Sequence, residues 1–154
     1  MTKPAAHVSE LKEHIGFWMR FVSNHVSYAF AEKMQATGVT VAEWVVLREM
    51  FDFESAPPSL LAERTGLTRG AISKLVDRLL HKGLLTREGR SDDRRFQSIA
   101  LTVAGKELVP RLAALADEND AEFFSALEPG ERRMLAETLK KLVEANGLTK
   151  VPME

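Results

Sequence analysis

The apolar residues of this chain recur at helical spacing through most windows and change to a period of two in one short stretch. From Arg69 to Lys82, Ile72, Leu75, Val76, Leu79 and Leu80 fall at i, i+3, i+4, i+7 and i+8, which predicts one buried stripe on an amphipathic helix. Arg69, Gly70, Ser73, Lys74 and Asp77 occupy the opposite face. Thr68 is placed to cap this helix and Gly83 to stop it, since glycine enters the left-handed conformation without a Cβ penalty. Two short extended runs follow, Leu84 to Glu88 and Phe96 to Leu101, with the polar loop Gly89 to Arg95 between them. In the second run Phe96, Ser98 and Ala100 alternate with Gln97, Ile99 and Leu101, predicting a strand with two unlike faces.

Upstream, Leu11, Ile15, Trp18, Val22, Val26, Ala29 and Phe30 predict a long helix from Ser9 to Thr37, ended by Gly38. Phe17, Phe21 and Tyr28 widen its apolar arc beyond one contact surface. Thr40 and Glu43 have the spacing of a capping box. The helix they open, Val41 to Phe53, is expected to turn Trp44, Val45, Leu47 and Phe51 inward. Pro57 and Pro58 interrupt regular structure, and Pro58 suits the first turn of a helix reaching Thr65. Gly66 closes that helix and Leu67 anchors the turn, so Ser59 to Lys82 reads as a helix-turn-helix.

Thr102 is placed to cap a helix over Val103 to Leu127, which Pro110 should kink or split. Pro129 suits the first turn of a last helix reaching Ala145, whose stripe is Met134, Leu135, Leu139, Leu142 and Val143. The outer helices lie far apart in sequence and carry more apolar surface than the unit between them can cover. Their economical partner is a second copy of the chain. A two-fold dimer would hold two reading helices one turn of DNA apart, about 34 Å. The fold class is mainly α (α+β): a winged helix-turn-helix with N- and C-terminal dimerisation helices.

Composition changes this picture little. The 154 residues make one domain the natural expectation. Without cysteine there is no disulfide framework, thiolate metal site or thiol switch. The N-terminal stretch lacks the apolar core of a signal peptide, and no run of 18 apolar residues occurs. The expected location is therefore cytoplasmic, with no membrane partner.

Charge changes it more. The net charge is −1, yet Arg64 to Arg95 holds nine Lys/Arg against four acids, a local +5 on a body of −6. A basic segment in a helix-plus-hairpin unit is the footprint of a nucleic-acid face, with the helix suited to the major groove and the Arg-rich tip to the minor groove. Arg can bridge two acceptors on guanine, Ser and Thr can bond base or phosphate, and Gly70 allows close approach to the DNA backbone. For Asp77 and Arg78 an ion pair within the protein competes with this role. No Ser/His/Asp order, phosphate loop or metal-ligand cluster points to an enzyme, and no cofactor is expected. His7, His14 and His25 lack the i, i+4 pairing of metal ligands.

From Leu61 to Leu108 the chain carries an LAERTGL turn, the helix GAISKLVDRL and a wing motif in which Asp93, Arg95, Leu101 and Thr102 keep D-x-R-x5-L-T spacing. These motifs, with the order of the outer helices, resemble the MarR (multiple antibiotic resistance regulator) family over residues 10 to 147. The resemblance implies a single domain over residues 1–154. Within it, residues 8–37 and 103–147 would be dimerisation helices and residues 40–102 the winged unit. It implies a homodimeric, sequence-specific regulator of double-stranded DNA, a ligand-responsive repressor on a palindromic operator. The alternatives are a small-molecule- or metal-responsive activator, or a winged-helix protein-interaction module without DNA contact. Thr68, Arg69, Gly70, Ser73 and Lys74 would line the major groove, with Arg78 also a candidate. Arg95, held by Asp93, would enter the minor groove, with Arg90 and Arg94 nearby. Two departures stand out: Pro57 replaces the usual hydroxyl cap, and Glu128 stands where the last helix often has Ser or Thr.

A small aromatic or anionic effector would sit between the dimer helices and the winged unit. The matching walls are His14, Trp18, Phe21, Val22 and His25 on the first helix and Trp44 and Arg48 on the second. The rings would stack on an aromatic carboxylate and Arg48 would pair its charge.

Overall fold

The computed structural model describes residues 2, 5–89 and 97–150. Its elements run α1 (Ile15–Met34), α2 (Val41–Met50), α3 (Pro58–Thr65), α4 (Arg69–His81), β1 (Leu85–Glu88), β2 (Ser98–Leu101), α5 (Val103–Phe123) and α6 (Pro129–Ala145). The helix expected from Ser9 starts later. Leu11–Glu13 form a 3-10 turn, His14 is extended, and α1 begins at Ile15. The Trp18 indole N–H donates across this break to the Lys12 carbonyl at 2.9 Å, satisfying an acceptor that a continuous helix would have used internally.

Val46, Leu47, Met50, Leu61, Ile72 and Leu79 form the closed centre of the molecule, each fully buried. Burial of each such side chain is worth about 1.5–3 kcal/mol against exposure. Three elements meet there: α2, the α3–α4 pair and the base of the wing. The α3–α4 turn is held by Gly66 at φ 74°. Thr65 Oγ1 donates to the Leu61 carbonyl at 2.7 Å and accepts from the Leu67 N–H at 3.2 Å. Leu67 packs against the core as expected.

Two inward assignments change. On α2 the buried line is Glu43, Val46, Leu47 and Met50, while Phe51 is exposed and Trp44 and Val45 are half-buried. At 100° per residue Phe51 lies roughly 90° round the helix from the centre of that line. A charged residue has taken an inward place and the apolar arc has rotated to accommodate it. On β2 the expected alternation is absent from the burial, because Ile99, Ala100 and Leu101 are all buried. β1 pairs antiparallel with β2, Leu85 opposite Leu101 and Glu88 opposite Ser98. On its other edge Ile99 exchanges two 2.9 Å backbone hydrogen bonds with Ala56. β2 is thus paired on both edges, and Ile99, Ala100 and Leu101 are buried whichever face they occupy.

The wing is joined to α5 at close quarters. Thr102 Oγ1 donates to the Gly83 carbonyl at 2.7 Å and accepts from the Gly105 N–H at 3.1 Å, so one side chain ties the end of α4 to the start of α5. Gly105 faces Leu84, and a Cβ built there would stand 2.3 Å from the Leu84 oxygen. α5 then runs unbroken through Pro110 and ends at Phe123 rather than Leu127. Pro110 is exposed, so water can serve the carbonyl that its missing N–H leaves unpaired, and the helix is not split. α1 crosses α5 through a polar joint. Buried Asn119 donates to the Val26 carbonyl at 3.2 Å and accepts from Lys33 at 3.2 Å, and Lys33 pairs with Glu122 at 3.0 Å. α6 opens on Pro129, with the Glu131 carboxylate accepting from the Glu128 N–H at 3.0 Å, so the acidic residue at 128 leaves the helix start supported. Among the described residues no helix is long and apolar enough to cross a membrane.

Candidate nucleic-acid interface

α4 turns its apolar stripe into the core and presents Thr68, Arg69, Gly70, Ser73 and Lys74 as an exposed row over its first two turns. Thr68 Oγ1 accepts from the Ala71 N–H at 3.1 Å, the cap expected from the sequence and worth about 1 kcal/mol. A Cβ built on Gly70 meets nothing within 4 Å, so the fold itself places no demand for glycine there. Between α4, the start of α3 and the wing lies a cleft of about 420 Å³ whose walls include Pro58, Arg69, Ser73, Asp77 and Arg87. Asp77 and Arg87 face each other across it at 3.6 Å. Arg90, Asp93, Arg94 and Arg95, the expected wing-tip residues, lie outside the described residues.

The basic segment is partly neutralised by acids that its own count omits. Arg64 pairs with Glu49 at 2.7 Å, and Arg78 and Lys82 both reach back from α4 to Glu43. Glu49 and Glu43 belong to α2, outside the Arg64–Arg95 stretch. Among the described residues Arg69 and Lys74 are the two cations of that stretch without an ion-pair partner. Among the described residues the exposed positive charge is therefore narrower than the local +5 suggests, and it sits on the first half of α4.

Glu43 is the residue that sequence reasoning misplaced. Thr40 Oγ1 does accept from the Glu43 N–H at 3.1 Å, but the Glu43 carboxylate does not return to the backbone as a capping box requires. It is fully buried. It accepts from Arg78, from Lys82 at 2.7 and 3.0 Å, and from the Thr40 hydroxyl at 3.2 Å. Burial pushes this carboxyl's pKa up, but the hydrogen bonds and charges of Lys82 and Arg78 together outweigh it and hold the group below the usual carboxylate range. Lys82 spends a further N–H on the Gly38 carbonyl at 2.7 Å. The available signal was Arg78 and Lys82 at i, i+4, two cations on one flank of an otherwise apolar stripe.

The residues proposed for an effector are only partly brought together. On α1 the Phe17 and Trp18 rings meet edge-on at 5.3 Å, and Phe21 and His25 lie 4.8 Å apart. His14, Trp18, Phe21, Val22 and His25 are all exposed. Trp44 packs against the winged-unit core. Arg48 pairs with Asp52 at 3.1 Å and lies 6.0 Å from the Phe51 ring. No ring contact or ion pair among the described residues joins Trp44 or Arg48 to the α1 aromatics.

With this geometry in place, comparison with known proteins is specific. Residues 37–95 match the model of the MarR family. Over that stretch the chain is similar to the MarR family. It is 29% identical over 109 residues to the uncharacterized HTH-type transcriptional regulator YhbI of Bacillus subtilis, covering 69% of this chain and 71% of that protein. BpsR of Bordetella bronchiseptica, solved to explain regulation of its DNA binding by 6-hydroxynicotinic acid, superposes with a TM-score of 0.80 at 23% identity, over 89% of this chain and 99% of that one. A point mutant of Escherichia coli MarR, solved in complex with operator DNA, gives 0.77 at 24% identity, over 88% and 99%. The chain shares the winged-helix fold of these proteins.

Proposed function

We propose that the protein acts as a homodimer on a palindromic operator, as a repressor whose grip is changed by a small ligand. Residues 8–37 and 103–147 would form the dimerisation helices and residues 40–102 the winged unit. The observation that carries this reading is the contrast in cover. The winged unit encloses its core, whereas α6 buries none of its residues and leaves Met134, Leu135, Leu139, Leu142 and Val143 exposed. The first half of α1 leaves Ile15, Trp18, Met19, Phe21 and Val22 exposed as well. Apolar surface on that scale marks an interface, and a second copy offers the same stripes in self-complementary arrangement. Each winged unit would then line the major groove with Thr68, Arg69, Gly70, Ser73 and Lys74, Gly70 allowing close approach to the DNA backbone. The wing arginines Arg90, Arg94 and Arg95 would reach the minor groove, where negative potential is strongest in narrow stretches. In vitro selection of duplexes with the purified protein should return a palindrome with half-sites about one turn apart. A monomer in sedimentation, or no enrichment at low salt, would overturn this reading.

The effector reading is narrower. An aromatic acid acts on BpsR, and the Phe21–His25 pair presents a stacking surface on α1. The positive partner for the acid is not Arg48 as it stands, since Asp52 occupies it. Aromatic carboxylates should release the protein from its selected duplex; a panel that leaves binding unchanged would remove the effector.

A further inference from the structure

We propose that Glu43 is a specificity-determining residue: by binding Arg78 and Lys82 inside the protein, it keeps two cations of α4 from gripping DNA phosphates. The inference rests on the DNA-binding dimer above and concerns residues that need not touch the duplex. α4 carries four cations, Arg69, Lys74, Arg78 and, at its C-cap, Lys82. Were Arg78 and Lys82 free as well, the two subunits of a dimer would add four sequence-blind contacts, and phosphate contacts raise affinity for every duplex alike. Discrimination falls as that shared contribution grows.

The geometry removes two of the four. Arg78 reaches α2 to bond Glu43 and lies 3.5 Å from the Thr40 hydroxyl. Lys82 places its ammonium on both Glu43 oxygens and on the Gly38 carbonyl, which engages a group with three N–H donors and no acceptor. Their side chains are half and one-third exposed, while Glu43 is wholly buried. The cations could thus turn outward if the carboxylate were neutralised. The carboxylate has no such freedom, because burying it unpaired costs several kcal/mol. The same three groups also clamp the end of α4 to α2 and to the turn that follows α1, so Glu43 positions the reading helix as well as holding its charges.

The test measures binding of the full-length protein to a random-sequence duplex and to the selected duplex over a salt titration. In Glu43→Gln the two cations freed in each subunit, four per dimer, should steepen the fall of log K with log salt on the random duplex by up to about 3.6, at ~0.9 per phosphate contact. The ratio of selected to random affinity should shrink. A slope equal to wild type in a folded Glu43→Gln protein overturns the proposal. If that variant does not fold, the triple replacement Glu43→Leu, Arg78→Met and Lys82→Met decides, since apolar replacement of a buried ionic cluster is commonly tolerated. It should keep the wild-type slope, because the cations it removes made no phosphate contact. A slope shallower by ~0.9 or more would show that they did. Wild-type protein that binds neither duplex would instead bring down the dimeric regulator reading itself.

Discussion

The winged unit and the end helices are built to opposite specifications. In the winged unit, side chains from α2, α3, α4 and β2 close on one another, and Leu61, Ile72 and Leu79 have no access to solvent. In the end helices the C-terminal half of α1 seats on α5 through Met34, Phe30 and the Asn119–Lys33 joint. The first half of α1 and all of α6 have their apolar stripes uncovered. One region satisfies its hydrophobic demand within the chain and the other defers it. On the function proposed above, a unit that reads DNA holds its geometry before meeting a partner, whereas surface left open is what lets a partner be recruited.

The comparison can be broken most decisively at α6. Leu139→Asp with Leu142→Asp would place two carboxylates in the proposed interface. The protein should become monomeric in sedimentation, and affinity for a selected palindrome should fall more than about a hundredfold, since unpaired buried charge costs several kcal/mol per group. A dimer surviving that pair would assign α6 to solvent. The converse change, Leu79→Ala, should leave the dimer intact and cost about 2–5 kcal/mol in chemical denaturation, because a closed core leaves a cavity that cannot collapse fully. A loss under 1 kcal/mol would mean the winged unit is less closed than it looks.

The seam between the regions is tested next. Gly105→Ala puts a methyl against the Leu84 carbonyl and should cost about 1–3 kcal/mol as the helix and wing are forced apart. Unchanged melting would show that the contact gives way freely. The smallest effect is pH-dependent. The folded Glu43 carboxyl sits below the usual carboxylate range, so the unfolded chain takes up that proton first. The stabilisation is full above the ordinary carboxylate pKa and is lost as pH falls through the folded value. Acid titration of stability should decline more steeply in that window for wild type than for Glu43→Gln; parallel curves would deny the carboxylate its ionic role.

Local signals were legible before any coordinates. The stripe from Ile72 to Leu79, the Thr68 cap and the Gly66 turn are set by neighbours within four residues, and each lies where the pattern placed it. What escaped depends on distant partners. Glu43 reads as a cap because Thr40 stands three residues before it, but Arg78 and Lys82, 35 and 39 residues on, claim its side chain. β2 reads as an alternating strand, yet Ala100 is buried along with Ile99 and Leu101, and the strand's far edge is bridged by Ala56 from 43 residues upstream of Ile99. The charge of Arg64 to Arg95 cannot be summed from that segment alone when its counter-ions sit on α2. For the candidate interface, residue types on α4 were readable, and which cations remain available was not.

The seat of α5 on the Leu84 carbonyl has a mechanical consequence. Gly105 leaves no slack there, and Thr102 pins the same corner to Gly83, so α5 cannot pivot without carrying the root of the hairpin along. At 1.5 Å per residue its 21 residues make a lever roughly 30 Å long, and a sideways shift of about 5 Å at the far end corresponds to ~10° at the pivot. In the proposed dimer, a modest slide between subunits would thus arrive at the duplex as a change of aim.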